Sequence, residues 1–123
     1  MALVAAMLII GAFVLWLFQL SAATSLAASG HYLSTGAFYA AESGVELALR
    51  ELTRSPPSDI DSDGTIGTIS DNDDAADDPR VATGAVYVEK VSTTPPTYRA
   101  FGRTVQATAP WSYYRRIIEV KTR

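Results

Sequence analysis

The sequence predicts an α+β protein in which one long N-terminal helix, about residues 1–54, packs at its C-terminal half on a small three-stranded antiparallel sheet. Three observations carry this. No Asp, Glu, Lys or Arg occurs from Met1 to Ala41, and the first formal charge is Glu42. From Phe38 to Leu52 apolar residues recur at helical spacing, until Ser55-Pro56-Pro57 stops the run. From Arg80 onward, β-favouring residues alternate between turn signals.

Length and charge bound the rest. Of 123 residues, roughly 70 lie outside the helix, near the lower limit for a self-supporting core, so this head must fold onto the helix. The net charge of −3 hides a partition. Asp59 to Asp78 carry eight acidic residues and no basic one, whereas Arg80 to Arg123 carry a net +6. Such separation points to contact between the acidic segment and a cation or a basic head, of its own or a neighbouring chain. With no cysteine present, disulfides and thiolate metal sites are excluded. Four segments result: 1–30, apolar enough for a membrane; 31–54, the helix half under the head; 55–79, an acidic connection; and 80–123, the β head.

Ala2 to Leu20 is almost wholly apolar, and ~19 helical residues span ~29 Å, about one hydrocarbon core. A cleaved secretory signal with its site near Ala27-Ala28 and a plain single-span anchor are the competing readings. No Lys or Arg precedes the apolar run, and the helical pattern continues through the supposed cleavage point. A basic leader once preceding Met1 and since removed would account for the missing basic residues, both as the start of a signal and as the flank that orients a span.

Ser21 to Gly30 is nearly all small residues, and Ser21, Ser25 and Ser29 lie on one line of the helix. Gly36, Ala40, Gly44 and Ala48 form a second line. Small residues four apart let helix backbones approach closely, which suits a bundle of identical helices. Cover by the chain's own head is an alternative for the second line but not for the first. Gly11 joins these packing positions and weakens the helix there by about 1 kcal/mol relative to Ala in water. Phe38, Ala41, Val45, Leu49 and Leu52 face the head, while Glu42, Glu46, Arg50 and Arg54 lie on another face, Glu46 and Arg50 being spaced as an ion pair.

In the head, Val81–Val91 alternates with Val86 and Val88 opposite Tyr87 and Glu89; Thr94-Pro95-Pro96 is a turn. Tyr98–Thr108 forms a second strand with Phe101, Val105 and Ala107 on one side, and Tyr113–Lys121 a third.

Asp59, Asp61 and Asp63 followed by Gly64 match the opening of a calcium loop, in which alternate carboxylates converge and the glycine permits the turn. Thr65 would add a backbone carbonyl. Ser70 stands where the loop's bidentate Glu would be; Asp71 directly after it is a candidate to close the shell, as are Asp73, Asp74, Asp77 and Asp78. A solvated acidic loop is the plain alternative. No nucleophile elbow, phosphate loop or zinc spacing frames the Ser, Asp and single His31, so the sequence argues against an enzyme. The basic residues of the sheet alternate with Glu89 and Glu119, which favours contact with the acidic loop over nucleic acid.

The stretch from Ala37 to Leu52 (AFYAAESGVELALREL), together with the opening MALVAAMLII, resembles the N-terminal helix of type IV pilin-like proteins, in particular a minor-pilin-like, PilX-type subset. The resemblance covers the helix; the head is similar only in architecture. It implies a subunit anchored in the inner membrane and then stacked with copies of itself in an extracellular filament, through pilus assembly machinery. It also implies a leader removed by a prepilin peptidase and a methylated amine at Met1. Pilins usually carry a Glu where this chain has Ala5, which leaves major subunit, minor or tip subunit and secretion pseudopilin open.

Overall fold

The computed structural model describes residues 2–70, 78–81, 84–105 and 114–122. Helix α1 runs Ala2–Thr53 and is followed by strands β1 (Arg80–Val81), β2 (Gly84–Thr93), β3 (Pro96–Thr104) and β4 (Arg115–Lys121). The chain divides into two compact units, Met1–Tyr32 and Leu33–Arg123.

The first unit is helix alone. Two of its small polar residues satisfy themselves within it: Thr24 Oγ1 donates to the Leu20 carbonyl and Ser29 Oγ to the Ser25 carbonyl at 3.0 Å. Such back-bonding satisfies these two hydroxyl donors within the helix, which suits either lipid or a protein neighbour.

In the second unit the strands form one antiparallel sheet in the order β1-β2-β3-β4. The sequence predicts three strands where four are found, because the first expected strand is divided into β1 and β2, paired Arg80↔Ala85 and Val81↔Gly84. Expected residue Ala107 and the turn at Trp111 lie outside the described residues. The core joins Ala40, Ala41 and Ala48 of the helix to Val86, Val88, Tyr98 and Ala100 of the sheet, with Ile69 from the connection. Ile69 reaches this core because its N–H and carbonyl exchange hydrogen bonds with Val88, at 3.0 and 2.7 Å. The predicted acidic connection is therefore stitched to the sheet at this point.

Helix and sheet meet almost backbone to backbone. A Cβ on Gly44 would stand 2.3 Å from Val86 Cγ2, and one on Gly102 would stand 1.8 Å from the Ala37 carbonyl oxygen. Period-two alternation puts Val86, Val88, Ala100 and Ile118 on the helix side, and therefore turns Phe101 to the far side with its register partner Tyr87. There the two rings stack at 4.4 Å. Alternation alone indicates which residues share a side; Tyr98, two residues from Ala100, keeps the helix side and Phe101 takes the other, so register and not size places the two aromatics.

Candidate functional site

Every large apolar side chain from Leu3 to Leu20 is exposed, from 46% at Leu17 to 77% at Phe18. A helix with this surface, Leu3–Thr53, is long and apolar enough to cross a membrane. Among the predicted packing positions, nothing lies within 4 Å of a Cβ built on Gly11, and Ser21, Ser25 and Ser29 are exposed. The second line is placed differently. Ala40 and Ala48 are buried in the chain's own core, Gly44 meets Val86, and the Gly36 carbonyl lies 3.3 Å from where a Cβ on Gly84 would be. These four residues thus bring the sheet onto the helix. Met1 lies outside the described residues.

The acidic connection folds around its own carboxylates. Asp59 accepts from the N–H groups of Ser62 at 2.6 Å and Gly64 at 2.9 Å. Asp61 accepts from Asp63 at 3.4 Å and Ser70 at 2.8 Å. Asp63 turns to the Thr65 N–H at 2.7 Å and the Thr68 hydroxyl at 2.9 Å, and that hydroxyl also bonds the Thr65 carbonyl. Ser62, Gly64, Gly67 and Ser70 take positive φ to make these turns.

Below them is a residue that the sequence reading passes over. Glu51 is fully buried, and its two oxygens accept from the Ile60 N–H at 2.6 Å and the Gly67 N–H at 2.8 Å. One signal lay in its spacing: Glu51 follows Gly44 and Ala48 at helical intervals, on the line of small residues, and the structure buries all three. A buried carboxylate is tolerated because it is fully hydrogen-bonded.

Oxygens of Glu51, Asp59 and Asp61 lie within 4.8 Å of one another. This group differs from the calcium set read from sequence: Glu51 enters, Asp63 and Thr65 are engaged with Thr68, and Asp71 lies outside the described residues. Crowding of carboxylates has an electrostatic consequence. Desolvation, with further contributions from Asp59 and Asp63, pushes Asp61 up to about 6, whereas the Gly64 N–H holds Asp59 below the usual carboxylate range. The two carboxyl groups are hydrogen-bonded to one another, so each shifts the titration of the other. Three carboxylates supply part of the six to eight oxygens that calcium takes.

On the far side of the sheet, the cations are largely engaged. Asp78, with a fully buried side chain, pairs with Arg103 and accepts from the Ser70 hydroxyl at 3.3 Å. Arg103 lies over the Tyr87 ring at 5.6 Å, and Arg115 over Phe101 at 4.3 Å. Arg99 bridges Glu89 at 3.5 Å and Glu119 at 3.4 Å. The expected contact between acidic segment and basic head is thus made, at Asp78–Arg103, within one chain.

No family model matches this chain, and no curated protein or solved structure matches it either. The architecture itself, one long apolar N-terminal helix packed on an antiparallel sheet, is pilin-like. The exposed apolar surface of the helix suggests membrane anchoring.

Proposed function

We propose that the protein is the structural subunit of an extracellular type IV pilus-like filament, held in the inner membrane before assembly. The observation that carries this is the exposure of all the large apolar residues from Leu3 to Leu20, while the core of the head is built from other residues. At about 25 cal/mol per Å² of apolar surface, such a helix requires lipid or protein around it. The Thr24 and Ser29 hydroxyls are satisfied within the helix, and the surface around them suits both environments in turn. The reading assigns no catalysis.

In this reading a prepilin peptidase releases Met1, whose amine is methylated, and the assembly machinery adds copies to a helical array. Shearing surface filaments from cells that express the chain, followed by N-terminal mass spectrometry, tests it. A methylated Met1 in the filament fraction is expected; a chain found wholly in the membrane fraction would overturn it. The amount of the chain per filament separates a major subunit from a minor, tip or pseudopilin component.

A second reading is a single-span membrane protein with a calcium-binding head that does not polymerise. The convergence of Glu51, Asp59 and Asp61 favours it. Calorimetry on the full chain in detergent should then record calcium-dependent heat and a raised melting temperature; absence of both removes calcium from the account.

A further inference from the structure

The charged face at the end of α1 is divided into two halves. Glu42, Glu46, Arg50 and Arg54 follow one another at intervals of four, and all four are exposed. Arg54 stands one residue past the helix but continues its line, since its N–H reaches the Arg50 carbonyl at 3.2 Å. Two acids are thus followed by two bases. The intervals favour a Glu46–Arg50 pair, yet among the described residues Glu42, Glu46 and Arg50 make no ion pair, and Arg54 donates to Ser58 at 3.1 Å. The acids border an open groove of about 420 Å³ whose apolar lining is Phe38, Val45 and Ile118. Phe38 is 42% exposed.

We propose that this stripe is an interface between parallel copies of the chain, in which Arg50 and Arg54 of one copy enter the Glu42–Glu46 groove of the next. The inference rests on the filament reading above. Displacing one copy along the helix by eight residues, roughly 12 Å, sets Arg50 against Glu42 and Arg54 against Glu46. A guanidinium suits the groove because it forks onto a carboxylate while its stem and plane lie on Phe38 and Val45. An antiparallel pair would also match charges, as Glu42 with Arg54 and Glu46 with Arg50. Subunits anchored in one membrane share one orientation, which selects the parallel arrangement. The basic half lies about 80° round the helix from the acidic half, so one copy holds two different neighbours. Such a head-to-tail contact does not close on itself and propagates.

Charge reversal in the full-length chain tests this, with sheared filament yield as the readout. Glu42→Arg with Glu46→Arg should lower the yield at least ten-fold, as should Arg50→Glu with Arg54→Glu. All four substitutions in one chain should restore it, and so should co-expression of the two double variants. All four sites are exposed, so a fold-neutral effect is expected, and protease resistance of each variant in detergent verifies it. The absence of native cysteine permits a second measurement. Glu42→Cys with Arg50→Cys should give a ladder of intermolecular disulfides in filaments, because eight helical residues place the two too far apart to bridge within one chain. Double variants that assemble like wild type, a quadruple variant that stays unassembled, or a ladder from Glu42→Cys with Arg54→Cys instead would overturn the interface while leaving the filament reading intact. A wild-type chain that makes no filaments overturns both.

Discussion

Gly102 sits against Ala37 so closely that a Cβ on the glycine would lie 1.8 Å from the Ala37 carbonyl oxygen and 2.6 Å from the Ala41 nitrogen. The obstacle is backbone on both sides, which cannot rotate away. Gly102→Ala should therefore push sheet from helix and cost the head about 3 kcal/mol, at the upper end of single-substitution effects. Thermal unfolding of the full chain in detergent measures it, and a variant melting within a degree of wild type would disprove the close seam.

Glu51 joins helix to loop by accepting from Ile60 and Gly67. Glu51→Gln replaces one accepting oxygen by a donor facing an N–H and strands that group, at a cost of about 2 kcal/mol. Hydrogen exchange should accelerate at the Ile60 and Gly67 amides before it does so in β2 or β3. Unchanged protection at both would show that the loop is held some other way.

Asp61 makes the loop sensitive to pH. Its folded-state value is raised from 3.8 to about 6, so between about pH 4 and 6 the folded chain retains a proton that the unfolded chain has released. Stability from this group consequently falls as pH rises through that window. Asp59 acts in the opposite sense: its lowered value contributes stability above pH 3.8 that is lost as acid protonates it. Asp61→Asn offers Asp59 a donor that does not titrate, and should flatten the slope between pH 4 and 6. Melting curves at pH 4.5 and 7 without calcium give the comparison, and an unchanged slope would assign it elsewhere.

Ser25 is exposed on the first unit and bonded only within the helix, as acceptor from Ser29 through its carbonyl. Ser25→Leu should reduce filament yield by at least ten-fold and leave the melting of the head unaltered. Gly36→Leu is the contrasting case: Gly36 lies in the helix–sheet seam beside Gly84, so that variant should weaken the head itself. Normal filaments from Ser25→Leu would count against close helix packing.

The composition of the chain determined much of this without any tertiary information. A run of 41 uncharged residues, continued at helical spacing from Glu42 until Ser55-Pro56-Pro57 stops it, can be little but a long helix, and alternation after Arg80 can be little but strands. Those are local properties, set by helix and strand periods. What lay against what was not local. Gly36, Ala40, Gly44 and Ala48 read equally well as a seam for another helix or for a sheet, and folding assigned them to the sheet because Gly84 and Gly102 complete that contact from the other side. Phe101 reads as core by type but lies on the far side with Tyr87, since register, not hydrophobicity, decides the side. Glu51 reads as one more acid on a helix, and only the returning loop makes it the acceptor for Ile60 and Gly67. Period and composition act along the chain, whereas burial and charge pairing arise only when distant segments meet.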